Sequence, residues 1–429
     1  MDESDLDAIL ADHAARHSVP GASLGLLRST QMTTSSFGVV DVGSGGPVTS
    51  ESRFTIGSLT KPMVATVIAK LAAAARLSLE DPVAAHVPEL RRAAWANRAT
   101  IRSLLANRSG LPLRSDLEFG FDMHADTDDA ALSRMASEVA QAEPAGDFWS
   151  YSNVGWCLLG RAIETVTGTT WEAAMADLLF DRIGMSDARF ATALEPMGRV
   201  SGHQVTSDGP VPVEPLRARA YGPAGTSIVA TTTDLLRFAA MHLDDASLET
   251  LRVVDGDVAI AGWFDAWGLG WARFDWAGGE VWGWDGLIDG ERSILRIMPA
   301  QRAAVVLLTN GSTGRAMYRS LLAELMPPLF GFPLPPPRLV PIPGSAGDLS
   351  RFAGTYAWPD RRVDVRTEAD HLILRSARLE AEVFPVNDRT FLVDPLDPDD
   401  ATVTFGAFDA SGRPHVLYQM LWGLPRIAE

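Results

Sequence analysis

The chain has 429 residues, 46% hydrophobic and 21% charged, enough to bury one large core and a small second one. A formal net charge of −17 makes nucleic acid and anionic membrane surfaces poor partners, and no apolar run reaches membrane-spanning length. The single cysteine, Cys157, excludes an intramolecular disulfide and, in an apolar helical pattern, reads as a buried structural thiol.

The start, Met1-Asp2-Glu3-Ser4-Asp5, is acidic and lacks a basic stretch followed by an apolar core, so a cytoplasmic location is expected. Leu6, Ile9, Leu10 and Ala14 recur at helical spacing and predict a first helix that stops before Pro20-Gly21. Ala22–Leu27 and Met32–Val39 read as two strands of a hairpin. Next comes Ser58-Leu59-Thr60-Lys61, which opens a helical pattern carried by Met63, Val64, Val67, Ile68 and Leu71, with Pro62 tolerated in the first turn. A serine and a lysine three apart share one helix face. A hydroxyl is a weak nucleophile until a neighbouring base takes its proton, and a desolvated lysine is such a base.

A mostly helical stretch runs on to about Met241 and contains Tyr151-Ser152-Asn153 ahead of the run Val154–Gly160. Tyr151 near a lysine is a second acid/base, and Asn153 offers one acceptor and two donors to a substrate amide or, alternatively, caps the following helix. Strands return between Trp267 and Asn310, among them Trp284-Asp285-Gly286-Leu287. A strand placed along the nucleophile can donate a backbone N–H, here assigned to Leu287, to a developing oxyanion, with the N–H of Ser58 as its partner. Trp284 reads equally as pocket wall or core; Asp285 is either solvated or meets a substrate amine. Trp263, Trp267, Trp271, Trp276 and Trp282 read as packing, and His203 as a surface or satisfied core residue.

A last helix, Thr313–Leu325, closes a catalytic domain of residues 1–326. Pro327-Pro328, Pro333–Pro337 and Pro341-Ile342-Pro343 then read as a proline-rich linker, residues 327–345. Beyond it, Val363–Arg366, Leu372–Arg375, Glu380–Phe384, Thr390–Val393, Thr402–Phe405 and His415–Met420 are evenly spaced candidate strands, so residues 346–429 are expected to form a small antiparallel barrel. The eight histidines show no paired spacing with carboxylates, so neither metal nor cofactor is expected.

Ser58-x-x-Lys61, Tyr151-Ser152-Asn153 and Trp284-Asp285-Gly286 occur in the order in which the chain resembles the serine β-lactamase and penicillin-binding-protein-like superfamily, in its class C, D,D-peptidase and esterase branch. Thr100–Leu111, Tyr151–Met185 and Ala224-Gly225-Thr226 with Asp234–Phe238 extend the likeness from roughly Leu6 to Leu325. The resemblance implies an α/β, β-lactamase/transpeptidase-like fold, with an antiparallel sheet covered by helices, an all-helical lobe and the site between them. It assigns Ser58 as nucleophile, Lys61 and Tyr151 as proton-handling groups, and Asn153, Trp284, Asp285 and Gly286 to substrate. The opening Phe352–Tyr356 resembles the lipocalin-like domain carried by some members.

One position departs from the pattern. The third motif of the superfamily usually begins with Lys or His, where this chain has Trp284, which donates a hydrogen bond and carries no charge. A cation for a substrate carboxylate is missing there unless Arg292 or Arg296 replaces it. Trp-x-Gly is similar to the carboxylesterase members. Taken with the expected barrel and location, the chain looks like penicillin-binding-protein-type thioesterases, which release and cyclise nonribosomal peptides from a carrier-bound thioester. The alternatives are a carboxylesterase for uncharged esters, a D-amino-acid peptidase or amidase, and a catalytically silent binding protein.

Overall fold

The residue patterns resolve into two sheets in the computed structural model, which describes residues 3–43, 45–111, 128–191, 199–214, 218–334, 339–358, 361–377, 380–393 and 402–427. The first sheet is antiparallel and seven-stranded: β1 (Gly21–Arg28), β2 (Gln31–Gly38), β3 (Ala266–Trp267), β4 (Ala272–Trp276), β5 (Gly279–Ile288), β6 (Glu291–Met298) and β7 (Ala303–Thr309), in the order β2-β1-β7-β6-β5-β4-β3. Central β7 reads Ala-Ala-Val-Val-Leu-Leu-Thr and is buried throughout, because both faces of the sheet are covered. Edge strand β2, Gln-Met-Thr-Thr-Ser-Ser-Phe-Gly, is mostly polar and for the most part only half-buried.

Helices α1 (Glu3–Arg16) and α5 (Gly314–Phe330) cover one face, joined by His13 contacting Ser320 and Glu324 at 2.8 and 2.9 Å. The other face receives α4 (Thr232–Asp244). A Cβ on Gly25 of β1 would lie 2.3 Å from the Thr232 methyl, so that helix packs on bare backbone. Beyond it lies the helical lobe, centred on α2 (Thr60–Ala73) and α3 (Asn153–Thr167). Only Lys70, Ala72 and Ala73 of α2 escape full burial, which explains a sequence apolar all round rather than on one stripe.

Helix α5 runs past the boundary expected at residue 326, through Pro327 and Pro328, to a left-handed cap at Gly331. The carbonyls that the two prolines leave without an amide belong to Ala323 and Glu324, both exposed and open to water, while Leu325 and Met326 stay in the core. Residues 335–338 of the expected linker lie outside the described residues.

The second sheet is an eight-stranded antiparallel meander curled into a nearly closed barrel. Its strands are β8 (Gly354–Ala357), β9 (Arg362–Thr367), β10 (Leu372–Ser376), β11 (Glu380–Pro385), β12 (Thr390–Val393), β13 (Thr402–Phe408), β14 (Pro414–Gln419) and β15 (Trp422–Pro425). A bridge from Tyr356 to Arg426 brings the first and last strands together. Phe352, Phe391 and Phe405 fill it, with ring centroids 4.7–5.6 Å apart. Strands β8 and β15 extend the six segments expected from alternation. Among the described residues no helix is long and apolar enough to cross a membrane.

Candidate active site

Three glycines build the floor of the site. Phe54-Thr55 pairs with Ile228–Ala230, and the chain then turns through a short 3-10 segment, Gly57-Ser58-Leu59, straight into α2. Gly57 has φ +54°, and a Cβ there would sit 2.9 Å from the Leu287 nitrogen. A Cβ on Gly286 would lie 2.0 Å from the Ile56 carbonyl oxygen; one on Gly225, at φ +138°, would lie 2.6 Å from the Gly57 oxygen. The turn that carries Ser58, strand β5 and the segment 224–226 therefore meet backbone to backbone, which side chains would forbid. Ser58 is half-buried at this junction.

Lys61, in the first turn of α2, is fully buried. Its Nζ lies 3.0 Å from Ser58 Oγ, donates to the Ala224 carbonyl at 2.5 Å and sits 4.8 Å from the centre of the Tyr151 ring. Burial brings the amine pKa down to about 7, against an opposing pull from Cys157. Near neutral pH a large fraction is uncharged, and the 3.0 Å contact then runs the other way, with Ser58 donating its proton to the amine.

Tyr151 is buried too, and its phenol hydrogen-bonds Ser58 and accepts from Trp284 Nε1 at 3.2 Å. Burial drives its pKa well above the ordinary phenol value, against the pull of those two bonds and with a push from Asp285. The phenol keeps its proton at neutral pH, so of the two groups in contact with Ser58 Oγ the Lys61 amine is the one able to accept a proton there.

Ser152 caps α3, accepting from the Gly155 amide at 3.1 Å, which leaves Asn153 uncommitted to capping. Asn153 Oδ1 is buried without a partner among the described residues, and the side chain lines a cavity of about 250 Å³ with Ser58, Tyr221, Gly225, Leu287 and Asp289. A larger depression, about 870 Å³, lies on the barrel beside Thr355, Asp364 and His415, and its lining pairs no serine with an amine.

Trp284 and Asp285 part company because neighbours on a strand face opposite ways. Trp284 stands behind Tyr151, centroids 5.6 Å apart, and meets Trp267 edge-on at 4.8 Å. The expectation that Asp285 faces substrate does not hold. Its carboxylate lies on the far side of the sheet, 2.6 Å from Arg296 and 3.9 Å from Arg315. Arg296 goes with it, its guanidinium 4.0 Å from the Phe274 ring and 5.1 Å from that of Tyr318. Arg292 turns the same way, its Cβ against Gly314 of α5. Neither arginine supplies the cation missing at Trp284. His203 is a satisfied core residue that accepts from the Val42 amide at 3.3 Å, and the Cys157 thiol is inert, pushed up to about 12 by burial. Among the described residues no cluster of His, Cys, Asp and Glu could hold a metal.

Two supports escaped the sequence reading. Asn107, at φ +55°, accepts from the Ser150 amide through its carbonyl at 2.8 Å and from Trp156 Nε1 through its side chain at 3.1 Å. The Tyr151 amide donates to the Leu421 carbonyl of the barrel at 3.0 Å. An asparagine ahead of Ser-Gly was the available signal for the first; nothing local marks the second.

Residues 6–325 match the Beta-lactamase family. The chain belongs to that family. Its members are serine acyl-transferring hydrolases, β-lactamases and penicillin-binding proteins among them. The chain is 32% identical over 367 residues to penicillin-binding protein 4 of Amycolatopsis lactamdurans, covering 79% of this chain and 93% of that protein. It is also 32% identical to esterase EstB of Burkholderia gladioli over 170 residues, 36% of this chain and 43% of that one. Among solved structures it is similar to SurE, with a TM-score of 0.81 and 25% identity over 99% of both chains. The fold of D-amino acid amidase from Ochrobactrum anthropi SV3 is shared at TM-score 0.63, 24% identity and 72% of this chain against 92% of that one.

Proposed function

We propose that the chain is a serine acyltransferase or hydrolase that forms an acyl-enzyme on Ser58 and takes acyl donors without a free carboxylate at the scissile end. The observation that carries this is the fully buried Lys61 amine 3.0 Å from Ser58 Oγ. Lys61 takes the serine proton as Oγ attacks the carbonyl; as the C–S or C–O bond breaks, Tyr151 gives its phenol proton to the departing thiolate or alkoxide and recovers the one held by Lys61. The main-chain N–H groups of Ser58 and Leu287, on segments in backbone contact, hold the oxyanion. Asn153 turns its unpartnered Oδ1 to an amide N–H of the acyl chain. Trp284 in place of a cation supports uncharged donors.

Within that class the first reading is a thioesterase that releases or cyclises a peptide from a carrier-bound thioester. It is supported by likeness to SurE through both the catalytic domain and the barrel, and that protein has also been solved with D-Leu, which guides the choice of probe. The second reading, an esterase, is supported by Trp284 and the partial likeness to EstB. A peptidyl thioester ending in a D-residue separates them. A product one water lighter than the free acid, lost in Ser58→Ala, is the expected result. Free acid alone would move the reading to hydrolysis; no acyl-enzyme from the thioester, beside turnover of a short-chain ester, would leave the esterase.

A further inference from the structure

The segment that delivers Tyr151 has no regular structure of its own. Residues 143–152 lie between the helix Ala131–Val139 and α3, so their main-chain N–H groups need partners elsewhere. Three in a row donate outward: Ser150 to the Asn107 carbonyl at 2.8 Å, Tyr151 to the Leu421 carbonyl at 3.0 Å, Ser152 to Asn107 Oδ1 at 3.4 Å. The middle one, on the residue that touches Ser58, reaches into the other domain.

The barrel makes a return contact. Leu421 lies in the turn between β14 and β15, and the Gly423 amide just beyond it donates to Ser150 Oγ at 3.2 Å. Gly423 presses bare backbone on the segment: a Cβ there would lie 2.7 Å from the Phe148 ring and 3.0 Å from the Trp149 carbonyl oxygen. Val416, Tyr418 and Leu421 pack into the core of the catalytic domain rather than that of the barrel. The Tyr418 ring meets Trp149 edge-on at 6.1 Å, Trp149 meets Trp267 at 5.7 Å, and Trp267 meets Tyr151 at 6.3 Å.

We infer that the C-terminal barrel is a working part of the active site, its last hairpin acting as the positioning element that fixes the main chain of Tyr151 and so the placement of the phenol against Ser58. This rests on the acyl-transfer reading above. Gly423, Leu421 and Ser150 touch no reacting atom; they act through Tyr151. A shift of about 1 Å at a relay group suffices to lower a rate by up to about 100-fold. The Tyr151 ring also shields Lys61, so its retreat lets water reach the amine. Besides the Ser58 hydroxyl, the other group facing that amine is the titratable Cys157 thiol from α3, while Asp285 stays behind the sheet.

The test uses the full-length chain and p-nitrophenyl butyrate, with rates normalised to active sites counted by the acylation burst. Gly423→Val is expected to lower kcat about 10-fold with KM within about twofold, and to move the acid limb of kcat/KM to higher pH as Lys61 regains water. Ser150→Ala is expected to do the same about twofold. Phe405→Leu, in the barrel's own core, is expected to lower the melting temperature while kcat and the acid limb stay put. A folded Gly423→Val with parental kcat and limb would overturn the inference, and so would Phe405→Leu losing as much kcat per active site. Where Gly423→Val does not fold, an unmoved limb and kcat in Ser150→Ala would overturn it instead. A parent that neither turns over nor bursts would sink the acyl-transfer reading; positioning would then be read from the Lys61 titration by NMR, where an unshifted Gly423→Val or Ser150→Ala contradicts it.

Discussion

Lys61 and Arg296 are both buried cations, one on each side of the strand that carries Trp284 and Asp285, and the protein treats them in opposite ways. Arg296 has Asp285 2.6 Å away and two aromatic rings along its guanidinium; burial works against its charge, but Asp285 and Tyr318 hold the pKa above the ordinary arginine value. Lys61 meets a hydroxyl, a carbonyl and a ring face, with no carboxylate among the contacts described for it, and its pKa falls to about 7. A compensated charge stays charged and fastens the β5–β6 pair; an uncompensated one becomes a largely neutral amine beside a hydroxyl. Burial alone is not the signal of a reactive group. Burial without a countercharge is.

Substitution tests that contrast from its strongest consequence downward. Lys61→Met is expected to lower kcat/KM at least about 1,000-fold, comparable with Ser58→Ala, because nucleophile and base act as a unit. The same change is expected to leave stability no lower than in the parent, since an uncompensated amine leaves the interior. A thermal melt and ester kinetics on one preparation read both, and a large stability loss would break the comparison. Arg296→Met is the opposite case. It leaves the buried Asp285 only the longer contact to Arg315 and is expected to destabilise by about 3 kcal/mol, with Arg296→Met/Asp285→Leu recovering most of that in denaturant titrations. If the double variant is no better than the single, the ion pair is not what fastens the strands.

The stability difference between Lys61→Met and its parent carries a pH sign. The amine has a lower pKa folded than unfolded, so the unfolded chain binds the extra proton and the parent loses stability as pH falls from the ordinary lysine range towards 7. The variant's advantage is therefore expected to be largest near pH 7 and to shrink by about 1.4 kcal/mol per unit as pH rises to 9. An advantage independent of pH would mean that Lys61 keeps its charge in the fold. Least is expected of Trp284→Phe, which removes one N–H from the Tyr151 hydroxyl and keeps the ring: a fall in kcat of several-fold, about 1 kcal/mol.

Much of this was legible in the chain. Helical spacing marked α1, which buries one face, and apolar runs marked β1, β7 and α2, which are buried nearly all round; six of the eight barrel strands alternate clearly enough to be read. Ser58, Lys61, Tyr151 and Asn153 are brought together by the fold as their motifs implied. Asp285 was misread by treating a three-residue motif as one surface, when strand alternation sends Trp284 behind Tyr151 and its neighbour to the far side. Pro327-Pro328 read as a linker because exposed carbonyls, which tolerate the missing donors, leave no mark in sequence. The Ser150–Gly423 contact spans 273 residues and is made by backbone and a hydroxyl, so no local pattern could announce it.

The base assignment stands or falls on one measurement, the pH dependence of the single-turnover acylation rate of Ser58 by p-nitrophenyl butyrate. With Lys61 as the base, the rate falls tenfold per unit below a midpoint near pH 7 and levels off above it, and Ser58→Ala shows no acylation at any pH. A rate flat from pH 5 to 8, or one still rising towards pH 10, would mean that the amine beside Ser58 is not the group that takes its proton.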